Sequence, residues 1–233
     1  IYLKPQYTHF IHTSLSTNNR ETFSFFSMYL NGNITTRSTV QASWMDDYGV
    51  RYAIPVNSLK PQTTGSVYLS YNRPVTRDRQ LTLQIGGNAT YSGGTSYQAT
   101  SRMEGLDLHS FDYNSFMEGF WGDASGDRFY SGKSGFAESR TNTLVWGGDF
   151  QLKYNIEKFD AILTYGMSNR MSKYSLDPTA NLNNWTHHIG ANILYWTGTA
   201  WEIGSDLTYR FYRGYTDGFG LPEWRWNMSV SKS

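Results

Sequence analysis

The chain has 233 residues, carries 20 Lys and Arg against 19 Asp and Glu, and contains no cysteine. It can therefore form neither disulfide bonds nor thiolate metal sites, and a net charge of +1 without a basic stripe argues against a nucleic-acid partner. The mean hydropathy is −0.55 and no run of about 18 apolar residues occurs, which excludes a transmembrane helix but is compatible with a membrane β-barrel, whose interior and loops are polar.

The N-terminal quarter of the chain predicts strands and a loop. Residues 7–15 and 21–44 are β-rich, and the Asn31-Gly32-Asn33 triplet within the second range predicts a bulge or a turn. Residues 46–64 contain two prolines and predict mostly loop, since proline lacks the N–H group that a sheet ladder requires. A short extended segment is expected within that loop at 50–54.

Two further strands precede a long loop. Residues 66–71 predict a short strand, and residues 81–92 alternate cleanly between apolar and polar side chains, which is typical of a strand with two different faces. Residues 93–140 are rich in Gly, Asp and aromatic residues and predict one long irregular connection.

The stretch from Leu144 to Tyr212 has the strongest pattern. Three hairpin-like runs within it alternate between apolar and polar residues almost without a break, with aromatic residues near the ends of each run. A period of two places these sets on opposite faces of a strand, as in transmembrane β-barrels with lipid outside and water inside. The charged side chains predicted to face the lumen are Asp149, Lys153, Asp160, Arg170, Glu202, Asp206 and Arg210.

The predicted connections alternate between short and long, as the tight periplasmic turns and longer extracellular loops of outer-membrane barrels do. Including a last strand at 224–230, the count is about nine, whereas closed bacterial barrels have an even number. We therefore interpret residues 1–233 as one antiparallel transmembrane β-barrel segment and expect it to be a fragment of a larger barrel. The short connections fall near 16–20, 72–79, 155–158 and 197–200, and the long ones near 45–64, 93–140, 172–184 and 213–223.

Four stretches have the residue pattern of strands from a known barrel family. They are Gly65-Ser66-Val67-Tyr68-Leu69-Ser70-Tyr71 with the turn Asn72-Arg73-Pro74, Asp149-Phe150-Gln151-Leu152-Lys153-Tyr154, Asp206-Leu207-Thr208-Tyr209-Arg210-Phe211, and Gly214-Tyr215 leading to Trp224-Arg225-Trp226-Asn227. In these stretches the chain resembles the barrel of Bacteroidetes-type TonB-dependent outer-membrane receptors. The resemblance covers most of the chain and rests on the residue pattern of its strands rather than on one unique motif.

This resemblance implies a single-chain barrel of about 22 strands in the bacterial outer membrane, closed by a plug domain. Such a receptor imports a bound nutrient, for example a glycan, a peptide or a metal chelate, with energy passed from the inner membrane. The implied partners are outer-membrane lipid, a plug domain and TonB, the last two through an N-terminal part that this sequence does not contain. A surface lipoprotein is a further candidate partner, and no cofactor is implied.

Aromatic residues of the 93–140 loop are the candidates for ligand binding. Rings next to carboxylates suit a sugar, a peptide or another solute at the outer mouth, although such rings can also pack the loop onto itself or onto a partner protein. The lumen charges could contact the plug or line a solute path, or could pair with one another across strands. The ligand-binding candidates are Phe111, Tyr113, Phe120, Trp121, Phe129 and Tyr130.

Motifs for catalysis or metal binding are incomplete. Gly132-Lys133-Ser134 lacks the first glycine of a phosphate-binding loop, because Asp127 stands at that position. The triad Asp123, Ser125 and Asp127 lacks the downstream glutamate of a calcium loop. The neighbours His187 and His188 point to opposite faces of a strand and cannot share a metal. We therefore expect no enzyme activity and no metal site.

Two other interpretations remain open from the sequence. In a soluble β-sandwich, such as a carbohydrate-binding module, the apolar faces would meet each other and the charged faces would meet water. A small outer-membrane barrel or an outer-membrane hydrolase is the second alternative. The hydrolase would need a Ser/His/Asn set or paired carboxylates at one rim, which spacing alone does not assign.

Overall fold

The computed structural model describes residues 3–107, 109–116, 135–216, 218 and 220–232, and this part of the chain is mainly β-structure. Among these residues no helix has the length and apolar character needed to cross a membrane. The prediction of an all-β fold is confirmed. The strands are β1 (Tyr7–Asn19), β2 (Ser24–Thr36), β3 (Thr39–Met45), β4 (Arg51–Asn57), β5 (Gln62–Pro74), β6 (Leu81–Ala99), β7 (Phe136–Ile156), β8 (Phe159–Tyr174), β9 (Leu182–Trp196), β10 (Trp201–Arg213) and β11 (Glu223–Lys232).

Nine strands follow one another across a single sheet in the order β1-β2-β5-β6-β7-β8-β9-β10-β11. Each is antiparallel to its neighbours, and the sheet is not closed, so that β1 and β11 are its edges. The side chains of both edge strands are exposed throughout. The remaining strands, β3 and β4, form a hairpin beside this path, here called the outer hairpin.

The connections along the nine-strand path alternate between the two ends of the strands, since consecutive strands are antiparallel. We call one end of the strands the short-turn end, because all of its connections are short. We call the other the long-loop end, because each of its connections is longer than every connection at the short-turn end. The predicted alternation is therefore confirmed. The short-turn end holds residues 20–23, 75–80, 157–158 and 197–200, and the long-loop end holds 37–61, 100–135, 175–181 and 214–222.

The outer hairpin corrects two expectations about the N-terminal quarter. The range 46–64, predicted mostly as loop, contains all of β4 and the start of β5. Pro55 is tolerated in β4 because this strand pairs only with β3, so the missing N–H faces no second neighbour. The Asn31-Gly32-Asn33 triplet forms neither a bulge nor a turn: β2 continues through it with an unbroken register against β5. The described residues thus form eleven strands where the sequence predicted about nine.

The outer hairpin adds a small hydrophobic core at the long-loop end. Its strand β3 pairs in parallel with the end of β6, where Ala42 lies beside Tyr97. Gly49 adopts φ 81° in the hairpin turn, a backbone conformation that suits glycine because it has no Cβ. The buried apolar residues of this core are Val40, Ala42, Trp44, Ile54, Val56, Tyr97 and Phe136.

The long loop is shorter than the expected 93–140. Strand β6 continues to Ala99 and β7 begins at Phe136, which leaves residues 100–135 as the connection. Both strands extend beyond the point where β5 stops pairing with β6, at Gly93. Past that point β3 takes the place of β5 as the neighbour of β6, and the outer hairpin thereby supports the extension.

The register defines two faces of the sheet, because residues directly opposite each other in a ladder point to the same side. One row runs through Ile85, Phe150, Tyr165, Ile189 and Tyr209, and we call its side the apolar face. The adjacent row runs through Gly86, Asp149, Gly166, His188 and Arg210, and we call its side the polar face.

Candidate functional site

The apolar face is broad and uncovered. Large hydrophobic side chains from β1 to β11 lie on it, and half of the surface of Leu163 in its middle is accessible to solvent. At the long-loop end, described residues of the 100–116 segment pack on Tyr97 and Phe136 of this face and form the only hydrophobic core in this part of the chain. Over the rest of the face no second layer of described residues is present. Monomeric soluble proteins rarely expose apolar patches of this breadth, which indicates a surface that contacts another apolar phase or a partner.

A row of stacked rings borders the apolar face towards the long-loop end. The ring of His187 lies parallel to Phe211 with centroids 4.6 Å apart, and Tyr209 stacks on Trp224 at 4.2 Å. Trp146 meets Trp185 edge-on at 5.2 Å and donates its Nε1–H to Asn169 Oδ1 at 3.1 Å. The row combines apolar ring faces with satisfied polar atoms.

A second group of rings borders the apolar face at the short-turn end. Tyr154 and Phe159 lie 6.3 Å apart across the β7–β8 turn, and Phe159 is directly opposite Tyr195. Trp201 begins β10, and the ammonium group of Lys232 lies 5.4 Å from its ring centroid. The apolar face therefore has an aromatic border at each end of its strands.

The register places all seven charged residues that were predicted to face the lumen on the polar face. Arg210 is 3.6 Å from Glu223, and among the described residues none of the other six forms an ion pair. Glu202 accepts a hydrogen bond from Trp196 Nε1 at 3.0 Å, and Asp160 accepts one from Asn155. Among the described residues these seven charges thus make one ion pair, and their contact with a plug or a solute stays a prediction.

Two side chains of the polar face lie flat over glycines of the neighbouring strand. A Cβ placed on Gly166 would overlap the ring of His188, and one placed on Gly86 would overlap the carboxylate of Asp149. Only glycine leaves room for this arrangement. His187 and His188 lie on opposite faces, as expected, and the position of His188 over Gly166 was not predicted, since nothing local in the sequence signals a contact between strands.

The predicted loop candidates are only partly within the described residues. Phe111 and Tyr113 pack against the core of the outer hairpin, where Tyr113 Oη donates to Pro55 O at 3.0 Å. Burial raises the pKa of Tyr113. In the structure these two rings therefore contact the protein itself, and ligand binding by them stays a prediction. The other candidates, Phe120, Trp121, Phe129 and Tyr130, lie outside the described residues, as do Asp123, Ser125, Asp127 and Gly132-Lys133-Ser134.

No protein-family model matches this chain, and no curated protein matches it.

Proposed function

We propose that this chain forms part of the wall of a transmembrane β-barrel, with the apolar face in contact with lipid and the polar face lining a watery interior. The observation that carries the proposal is the uncovered apolar face bordered by aromatic rings at both ends of its strands. Tyr and Trp favour the boundary between hydrocarbon and water, because one end of each side chain is apolar and the other forms hydrogen bonds.

The spacing of the two borders agrees with a membrane. Trp185 and Tyr195 in β9 belong to opposite borders and are ten residues apart in sequence. At about 3.3 Å per residue this is about 33 Å along the strand, and a tilt of about 40° reduces it to about 25 Å across the membrane. That is about the height of the apolar band of outer-membrane barrels.

The open edges fit a wall that continues beyond these strands. An unpaired backbone group costs several kcal/mol in hydrocarbon, so β1 and β11 would need neighbours in a bilayer. We propose that further strands pair with both edges and close a larger barrel in the bacterial outer membrane.

The resemblance of the strands to TonB-dependent receptors supports a more specific proposal. The barrel would import a bound nutrient such as a glycan, a peptide or a metal chelate, with the long loops at the outer surface. Plug domain, TonB and a surface lipoprotein are proposed partners on the same basis. A soluble β-sandwich is less well supported, because the described residues provide no second sheet to cover the apolar face.

Fluorescent labels on neighbouring residues test the membrane orientation. The chain has no cysteine, so Ile189→Cys and His188→Cys each provide a unique labelling site, one on each face. In membranes of cells that make the protein, a label at position 189 should be quenched by brominated lipid and protected from iodide, and a label at position 188 should behave in the opposite way. Equal exposure of both labels to iodide would overturn the proposal.

A growth experiment tests the receptor part separately. Deleting the gene for this protein should abolish growth on one class of scarce nutrient, and loss of TonB should give the same defect. Normal growth on glycans, peptides and metal chelates would contradict import, even if the labels place the chain in the membrane.

A further inference from the structure

A groove of about 550 Å³ lies between the outer hairpin and the end of β6. Its floor includes the buried Ser43, and Gln98 of β6 lies beside that residue. Arg51 and Arg102 also line it. A volume between about 300 and 1,000 Å³ is typical of sites for small molecules.

The lining of the groove is positively charged. It contains two arginines and no aspartate or glutamate. Arg51 and Arg102 are both exposed, and within the described part of the chain neither forms an ion pair. The groove therefore offers two cations without a counter-charge from the described residues.

Hydrogen bonds to uncharged oxygens fix both arginines. Arg51 Nη2 donates to Ser43 Oγ at 3.3 Å, and Arg102 Nη1 donates to Asp47 O at 3.1 Å in the turn of the outer hairpin. The backbone beside Arg102 is held as well, since Met103 N donates to Met45 O at 2.9 Å. Each guanidinium retains further N–H donors for a ligand, because arginine has five.

Part of the groove lining has the register of the polar face. Ser43 lies opposite Gln98, and Gln98 follows Gly86 at an even spacing in β6, on the side that also carries Asp149. If the proposed function is correct, the long-loop end is the outer mouth of the barrel, and the groove at this end is within reach of a dissolved molecule.

We propose that this groove binds the oxyanion of a small dissolved solute, a carboxylate or a phosphate group, through Arg51 and Arg102. The planar guanidinium fork matches both groups with two parallel hydrogen bonds. The aliphatic and aromatic atoms of Met45 and Trp44 provide the apolar part of the site. The ligand class follows from the charge and geometry of the groove. That the ligand reaches the groove from outside the cell rests on the proposed function.

Glucose 6-phosphate and glucose form a matched pair of probes, since they differ only in the phosphate. Titration calorimetry on the full chain in detergent should detect binding of glucose 6-phosphate and no binding of glucose. Arg51→Gln and Arg102→Gln should each weaken binding at least tenfold. Arg77→Gln is the control, because Arg77 lies in a turn at the short-turn end and outside the groove.

The proposal would be overturned by equal binding of both sugars, by unchanged binding in both groove variants, or by no binding of glucose 6-phosphate at millimolar concentration. If Arg51→Gln fails to fold, Arg51→Lys keeps the charge, loses the fork and should still weaken binding. Competition by phosphatidylglycerol micelles as strong as by glucose 6-phosphate would assign the oxyanion to a lipid and overturn the solute class. Binding to the groove does not depend on membrane insertion, so failure here is distinct from failure of the labelling test.

Discussion

Leu163 and Thr164 are neighbours in β8 whose side chains leave the sheet on opposite faces. Leu163 lies opposite Ala191, near the middle of the apolar face. An arginine there would face hydrocarbon at a cost of about 2–4 kcal/mol, whereas an arginine at position 164 would face water. We expect Leu163→Arg to reduce the yield of assembled barrel severely and Thr164→Arg to leave it unchanged, as measured by membrane insertion. Equal yields would contradict the assignment of the faces.

Gly166 provides a second test at the level of single residues. An alanine in a strand normally gains about 0.5–1 kcal/mol over glycine, but here its Cβ would overlap the His188 ring, and overpacking costs about 1–3 kcal/mol. We expect Gly166→Ala to lower the free energy of unfolding in wild type and to raise it in a His188→Ala background. Urea unfolding of the four proteins measures this coupling. Additive effects would show that the ring moves aside freely.

The faces of individual residues were the most predictable feature. Strands β7 to β10 pair in unbroken registers, so residues that alternate in the sequence lie on alternate faces of the sheet. The predicted lumen charges from Asp149 to Arg210 therefore share one face, as expected. The contact of His188 with Gly166 was not predictable, since it depends on the register between two strands. Likewise, nothing in the sequence near Arg51 indicates that Arg102 lies in the same groove.

At the level of elements, Trp44 is the centre of the outer hairpin core. Only 4% of its surface is exposed, and its ring stacks on Tyr52 at 5.6 Å and on Phe116 at 5.4 Å. Truncation of a buried tryptophan to alanine costs about 3–5 kcal/mol. We expect Trp44→Ala to release the segment before Phe116 while the nine-strand path stays folded. Trypsin should then cut at Arg102 much faster, with the strand signal in circular dichroism retained.

An exposed tryptophan serves as the control for that variant. Trp226→Ala removes a ring from β11 and should leave cleavage at Arg102 unchanged. Faster cleavage in both variants would show that the hairpin core and the sheet unfold together.

The segment that covers this core should loosen in acid. Ser115 Oγ and the backbone N–H groups of Asn114 and Ser115 donate to the Asp112 carboxylate and hold its pKa below the ordinary 3.8. A depressed pKa stabilises the folded state above the ordinary value, and this contribution is lost as pH falls through the lower folded value. Hydrogen exchange of residues 109–116, corrected for intrinsic rates, should therefore rise below about pH 4.

The variant Asp112→Asn isolates this effect. It cannot ionise, so the part of the acid response due to Asp112 should disappear. A smaller response should remain from Asp107, whose pKa is lowered by hydrogen bonds from Ser110 and from the backbone N–H of His109. An identical acid response in Asp112→Asn and wild type would contradict this role of the carboxylate.

Elements were predictable where pairing is local. Hairpin neighbours such as β7 and β8 leave alternation and a short turn in the sequence. The parallel contact of β3 with β6 joins residues far apart in the chain and leaves no local signal. Pro55 even argued against β4, and only the position of β4 as a strand with a single neighbour makes the proline acceptable.

For the whole molecule, the decisive property is a sheet with one apolar face and one polar face. A sandwich must hide its apolar face against a second sheet, and a barrel wall must hide it in lipid. The two architectures therefore place the same tryptophans in different surroundings. Trp146, Trp185, Trp201, Trp224 and Trp226 lie on the apolar face, whereas Trp44 is in the hairpin core and Trp196 is on the polar face.

Brominated detergent turns this difference into a measurement, because bromine quenches only the indoles that it touches. We expect the folded chain to remain in solution only with detergent and to lose most of its tryptophan emission when dodecyl maltoside is replaced by its brominated form. Replacing the five tryptophans of the apolar face by phenylalanine should remove most of the quenchable emission, while Trp196→Phe should change it little. A sandwich would stay soluble without detergent and would show equal emission in both detergents, because its rings would be shielded by protein. That outcome would reassign the apolar face to a protein–protein contact, since the tryptophan rings would then be buried against protein and not in hydrocarbon.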